Sequence, residues 1–280
     1  MAITVTESES DVASTALVRF GIELRRSRRA MRWSQVELGR RMGYSDAMVS
    51  YVERAKKPVT SNFAVKADEV FETGGTFYEL WRRIARASLL EGFQEFVDAE
   101  GRCRRLRTFA LTIVTGLLQA PEYAEALAYA AVDRGAITQV EAEERVDVLA
   151  ARQRLLERQK PPLIHAVLDE SCLMRPVGSP SVMLKQFDRL EELAARPNVT
   201  IQVAPFALGE NLPFALPVTL LDLSDSSLVG YAESHARGHL ERVRETVRGW
   251  ETQYDQLVVE ALPKAASLAL IRKARKELSP

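Results

Sequence analysis

The chain is short of sulfur, of histidine and of net charge, and each shortage removes a class of function. Two cysteines, Cys103 and Cys172, stand in 280 residues. That excludes a disulfide framework; a single bridge is conceivable, but buried free thiols in a reducing compartment are the expected state. Lys plus Arg and Asp plus Glu number 38 each, so the chain as a whole has no net pull toward a polyanion. No apolar run approaches the roughly 18 residues of a bilayer-crossing helix. The first fifteen residues are polar and acidic and carry no leader pattern. A cytosolic location is expected, and no membrane partner. There is no phosphate-binding glycine loop, no dinucleotide glycine fingerprint and no HExxH pair.

The histidines number three: His165, His235 and His239. His235 and His239 have the i, i+4 spacing of a zinc pair on a helix, with Glu233 as a third ligand. Gly238 lies between them, and a polar loop is the plainer expectation. Asp169-Glu170 follows an apolar run, where catalytic carboxylates often sit, but it is also a good helix start with acids at the positive end of the dipole, which is the preferred reading. Cys172 and His165 could be nucleophile and base, but no third group is recognisable. No catalytic residue, metal or cofactor is therefore assigned, and no enzyme is expected.

The zero net charge hides an uneven distribution. From Arg19 to Thr60 there are eleven Lys and Arg against four acids, about +7, which the rest of the chain offsets. A basic module on a neutral or acidic body is the electrostatic footprint of a protein that binds nucleic acid.

Within that module, residues 33–58 read as two short helices and a tight turn. Ser34 and Glu37 have capping-box spacing. The first helix runs to Met42, with Val36, Leu38 and Met42 on or near its buried side, and Gly43 ends it. Ser45 caps the second, whose apolar stripe is Met48, Val49 and Val52. Ser45, Asp46, Ala47, Ser50 and Tyr51 fall off the stripe. Small and polar, they let a helix approach a groove: serine bonds to bases or phosphates, and alanine meets a thymine methyl. Arg54, Lys56 and Lys57 follow, placed to neutralise phosphates. This is the frame of a helix-turn-helix.

The runs Gln35–Gly39, Met42–Ser45 and Val49–Arg54 resemble the Xre (Cro/C1-type) DNA-binding family. The resemblance implies that Gln35 touches a phosphate. It implies that Ser45, Asp46 and Ala47 read bases, with Ser50 and Tyr51 one turn on. Ala55 stands where that family usually has glycine, and alanine adopts a left-handed cap at a cost.

Residues 1–14 read as a frayed tail, and 15–75 as an all-helical DNA-binding bundle. Its first helix spans about Thr15–Met31, with Leu17, Phe20, Gly21 and Leu24 inward. The Arg25–Arg29 cluster is either a solvated face or a set of phosphate contacts. A fourth helix near Asn62–Phe71 closes the bundle, with Phe63, Val65, Ala67 and Val70 as core, and Gly74-Gly75 marks its end. Residues 77–100 read as one connecting helix that Gly92 ends or bends.

Beyond that, 101–280 reads as a mixed α/β domain. Strand candidates are 107–114, 162–170, 199–206, 214–221 and 227–233, the last two joined as an antiparallel hairpin. Helices are expected from Pro121, from Thr138 through Lys160, and over 182–195, about 238–262 and 263–277. The fold class is thus an α-helical bundle followed by an α/β domain with about four or five strands. The arginines 145, 152, 154 and 158 read as a solvated, ion-paired face, or as a dimer seam or partner dock.

The segments 116–124, 145–158, 167–178, 197–206 and 228–233 resemble one actinobacterial domain that follows Xre-type helix-turn-helix modules. The resemblance implies an antitoxin-like transcriptional regulator, encoded in many instances beside a small partner protein. The expected partners are double-stranded DNA, a second copy of the chain as a homodimer, and such a small protein.

Overall fold

The computed structural model describes residues 7–57, 59–87, 92–234 and 237–278. The chain divides into two compact units, residues 1–89 with 135–148, and 90–134 with 149–280.

The first unit is helical. Helices α1 (Glu7–Ala30), α2 (Gln35–Met42), α3 (Asp46–Glu53), α4 (Ser61–Phe71) and α5 (Thr76–Ala87) succeed one another. Its core is apolar at helical spacing: Phe20 and Leu24 from α1, Leu38 from α2, Val49 and Val52 from α3, Phe63, Ala64 and Ala67 from α4, and Phe77, Trp81 and Ile84 from α5 are all buried. Val65 and Val70, expected in the core, are only half-buried, and Ala64 takes the inward position. The tail expected over 1–14 is helical from Glu7; residues 1–6 lie outside the described residues.

Gly74-Gly75 is a corner within the unit. Both residues have positive φ, 65° and 112°, which glycine adopts without a Cβ penalty. They bring the start of α5 onto Asp68 of α4, whose carboxylate accepts the amides of Phe77 at 2.9 Å and Tyr78 at 2.8 Å. The helix expected over 77–100 is therefore two. α5 packs on α1 and α4, and Gly92, with φ 82°, opens α6 (Phe93–Glu100); residues 88–91 lie outside the described residues.

The second unit is built on one sheet of six described strands: β1 (Cys103–Ala110), β2 (Leu163–Asp169), β3 (Val199–Ala204), β4 (Val218–Leu223), β5 (Leu228–Glu233) and β6 (Gly238–Glu241). Their order is β3-β2-β1-β4-β5-β6. The first three run parallel and the remainder pair antiparallel. The sixth strand, β6, occupies residues expected to open a helix; the last pair of helices is α11 (Arg244–Glu260) and α12 (Lys264–Glu277).

Both faces of the sheet are covered, which is why the parallel strands are apolar almost throughout. One face packs Leu106, Ala166, Leu168 and Val203 against Phe96 of α6, Phe187 of α10 (Pro180–Ala194) and Ile271 of α12. The other packs Phe109, Val167 and Leu220 against Val247, Tyr254 and Leu257 of α11. Between β1 and β2 the chain forms α7 (Pro121–Asp133), which opens with proline in its first turn, and α8 (Gln139–Gln153), whose residues up to 148 belong to the first unit; α9 (Ser171–Met174) follows β2. At the start of α8, Thr138 and Glu141 form the full reciprocal box: Glu141 donates its amide to Thr138 at 3.2 Å, and Thr138 donates its own to the Glu141 carboxylate at 2.7 Å.

Candidate nucleic-acid interface

The α2–turn–α3 geometry follows from four local interactions. Ser34 accepts the amide of Glu37 at 3.1 Å and so caps α2. Gly43 ends α2 with φ 76° and no side chain to obstruct it, and Tyr44 donates its amide back to Gly39 at 2.8 Å. Ser45 then caps α3 by accepting the amide of Met48 at 3.1 Å. The turn is tight enough that a Cβ at Gly39 would come within 2.6 Å of the Tyr44 carbonyl oxygen.

The second half of the expected capping box does not form. The Glu37 carboxylate turns along α2 to Arg40 at 3.0 Å and Arg41 at 2.7 Å, because two guanidiniums one turn away are stronger donors than a single amide. Those bonds hold its pKa below the ordinary carboxylate value, Arg40 contributing most.

This frame sorts the residues of α3. Val49 and Val52 are fully buried, and Met48 is half-buried. Ser45, Asp46, Ala47 and Tyr51 are exposed, and Ser50 is half-buried. The outer face therefore has small side chains over its first turn and one aromatic ring beyond it. Val36 departs from expectation: it is 63 % exposed, because it lies about 200° around the helix from the buried Leu38. It leaves an apolar side chain next to Gln35 on the outside of α2.

The last turn of α3 is held by a buried carboxylate. Glu53 accepts Nε of Arg28 at 2.6 Å and Nη2 of the same arginine at 3.0 Å, a bidentate pair, and Gln35 Nε2 at 2.8 Å. Arg25 lies 3.5 Å from the same carboxylate and donates to the Glu53 carbonyl at 3.0 Å. Burial alone would raise the Glu53 pKa. The bonds from Arg28 and Gln35, with the charges of Arg28 and Arg25, outweigh it and leave the carboxyl below its ordinary value. Thus α1, α2 and α3 are tied at one point. The Arg25–Arg29 cluster is accordingly divided: Arg28 is an internal strut, whereas Arg26 and Arg29 are exposed. Gln35, which the family resemblance assigns to a phosphate, has its amide NH2 on Glu53 and is oriented by it.

The chain leaves α3 through a left-handed cap at Ala55, φ 52°. Ala55 donates to the Val52 carbonyl at 3.0 Å and Lys56 to the Tyr51 carbonyl at 2.9 Å. This is the paired pattern of a Schellman cap, made here without glycine. It releases Lys56 and Lys57 into solvent, and both are exposed. Arg54 bends back along the helix: its Nε donates to the Ser50 carbonyl at 3.1 Å, and its guanidinium lies 5.5 Å from the Tyr51 ring centre. The Ser50 backbone carbonyl, the Arg54 guanidinium and the Tyr51 ring are thereby brought together at the end of α3.

Among its described residues, the second unit does not bring together the candidate groups that its sequence left open. His165 bonds to Gln202 at 2.7 Å and stands edge-on to Tyr254, on the α11 side of the sheet. Cys172 is buried in the opposite layer. Base and nucleophile are therefore separated by the sheet. Asp169 accepts the amide of Ser171 at 2.9 Å, which is a helix-start role, and Glu170 accepts the amide of Phe206 at 2.8 Å. His239 is on β6, paired with Glu241 at 3.3 Å, and His235 lies outside the described residues. The described residues contain no group of three or more metal-binding side chains, and no described helix is long and apolar enough to cross a membrane. Arg152 is not on a solvated face: it is almost wholly buried against Glu100, at 2.8 Å. Both cysteines are buried and free, and burial pushes each thiol up to about 12.

A family model described as a helix-turn-helix domain matches residues 19–77, the segment whose geometry is described above, and supports a DNA-binding regulator. No curated protein and no solved structure matches the chain. A second model, described as a domain of unknown function (DUF5753), matches residues 93–273; that is more than half of the sequence and includes all of the sheet, and the chain belongs to that family.

Proposed function

We propose that the protein is a sequence-specific transcriptional regulator that inserts α3 into the major groove. One observation carries this: Ser45, Asp46, Ala47 and Tyr51 are exposed while Val49 and Val52 of the same helix are fully buried. The helix is thus anchored by one side and presents a small-residue face on the other, followed by Arg54, Lys56 and Lys57. Ser45–Ala47, Ser50 and Tyr51 would read base edges, and the cations, with Gln35, would hold the phosphates. A single module of this size buries too little and reads too few bases for high specificity, so the chain would work as a homodimer on two half-sites. The second unit would supply dimerisation or bind a partner protein or ligand. No catalytic step is assigned to it.

The test separates reading from gripping. Ser50→Ala or Tyr51→Ala should change sequence preference. Lys56→Ala or Lys57→Ala should weaken binding to all duplexes alike and lower the salt slope by about one unit each. Gel shifts on selected and scrambled duplexes distinguish the two, and equal losses on both duplexes for all four variants would refute the assignment.

A further inference from the structure

The second unit holds a cavity of about 190 Å³, roughly six waters' worth of liquid volume. It lies at the carboxyl end of β1. That strand is where the parallel half of the sheet meets the antiparallel half, since β2 pairs with it parallel and β4 antiparallel. The strand order also reverses there, β3-β2-β1 giving way to β4-β5-β6, and the crevice outside a strand's carboxyl end at such a point is the usual place for a ligand in an α/β sheet.

The floor is a row of directly opposed residues, Thr108 on β1, Thr219 on β4 and Tyr231 on β5; the two threonine hydroxyls are 3.0 Å apart. The wall is aromatic: Phe96 of α6 stacks on Tyr231 with ring centres 4.1 Å apart and planes 16° from parallel, and Phe93 stands at 6.2 Å from the same tyrosine. Arg152 completes the lining, with its guanidinium 5.0 Å and 5.3 Å from the two phenylalanine rings.

The polar groups define what fits. Nε and Nη2 of Arg152 are both bonded to Glu100, at 2.8 and 2.9 Å. Nη1 is the nitrogen left without a bond to any described residue. It lies beside Gly116, where even a Cβ would approach it to 3.3 Å. The charge of Arg152 is already cancelled by Glu100, and a second carboxylate, Glu233, lines the cavity and accepts the Tyr231 hydroxyl at 2.8 Å. An anionic ligand would face Glu233 with no uncompensated cation to hold it. A cationic one such as an amidinium brings only donors and would leave Nη1, itself a donor, unpaired. What remains favourable is an uncharged ring with an acceptor for Nη1 and a polar edge for the threonines.

We propose that this cavity binds a small, uncharged, planar-ring molecule bearing a carbonyl oxygen, the ring against Phe96 and Tyr231 and the carbonyl on Arg152 Nη1. The site deepens the regulator proposal by naming where and what the second unit senses. It is testable without DNA, so its failure and a failure of DNA recognition are separate results.

Three probes share one ring and differ in charge: benzamide, benzoate and benzamidine. Titrated into the full chain and followed by ligand-observed NMR, benzamide should bind at least tenfold more tightly than either charged analogue. Thr219→Ile, which fills the floor with a strand-compatible side chain, should weaken benzamide at least tenfold; Thr219→Val, which keeps the shape, should weaken it only several-fold. Should Thr219→Ile fail to fold, nuclear Overhauser contacts from the benzamide ring to Tyr231 and Phe96 in the unaltered protein serve as the test, and their presence supports the site. Absence of those contacts, no binding of benzamide, tighter binding of benzoate or benzamidine, or undiminished binding by a folded Thr219→Ile would each overturn the proposal.

Discussion

Glu53→Gln is the most informative single change, because it removes a charge without touching the outer face of α3. The Glu53 side chain is 1 % exposed and its partner Arg28 is 12 % exposed, so the glutamate cannot turn to water without disturbing the helix packing and the arginine can do so only in part. Removing one member of a buried ion pair costs about 3–5 kcal/mol, mainly because the other is left uncompensated. Glutamine keeps the shape and one acceptor oxygen, and the residual exposure of Arg28 lets it recover some hydration. A loss of about 2–3 kcal/mol is therefore expected, a large share of the roughly 5–15 kcal/mol that holds a domain. The pH dependence follows from the same bonds. The folded-state pKa of Glu53 lies below its ordinary 4.5. The pair's contribution is therefore fully present above that value and disappears as pH falls through the lower, folded-state one. Urea denaturation of the wild type, Glu53→Gln, Arg28→Met and the double variant, at pH 7 and at pH 3, measures both effects. The double variant should be less destabilised than the sum of the singles, and the difference between wild type and Glu53→Gln should shrink at pH 3. Additive losses under 0.5 kcal/mol, unchanged by pH, would refute the role given to Glu53.

Other outcomes follow from single contacts. Ala55→Gly should raise the stability of the first unit by about 0.5–1 kcal/mol, read as a higher melting temperature, because glycine relieves the left-handed strain at the cap and loses part of that gain to its own unfolded-state entropy. Gly39→Ala should cost about 1–3 kcal/mol by forcing the turn open against the Tyr44 carbonyl. Gel shifts on the Gly39→Ala protein should show specific DNA binding reduced more than non-specific binding, since the start of α3 moves. Cys103 and Cys172, with thiols pushed up to about 12, should resist a thiol reagent at pH 8 in the folded protein and react at once in denaturant.

The parts of this molecule legible in the sequence are those whose causes are local. Ser34, Gly43 and Ser45 each act within five residues, and they place both helices of the DNA-binding frame to within a residue or so. Pro121 and the Thr138–Glu141 box do the same for α7 and α8. What escaped depends on distant partners. The strand β6 is four residues long and exists because β5 offers an open edge. Arg28 and Arg152 read as surface cations, yet they are largely enclosed and paired with glutamates 25 and 52 residues away in sequence, respectively. Val36 is exposed for a geometric reason: it is close in sequence to Leu38 but on the far side of α2.

The fate of those arginines bears on how the protein would grip DNA. Pairing within the protein leaves the net charge near +7 over residues 19–60 unchanged, so the module keeps its long-range attraction for a polyanion. It does change how many cations can displace counterions from phosphates, because Arg28 is occupied by Glu53; Arg40 and Arg41 share Glu37 only through exposed pairs that a phosphate can replace. The two quantities are measured separately, the first as a salt-dependent association rate and the second as the slope of affinity against salt. A module that attracts strongly but contacts few phosphates leaves more of its discrimination to the face of α3. That is the arrangement expected where Ser45–Ala47, Ser50 and Tyr51, rather than the charge, select the site.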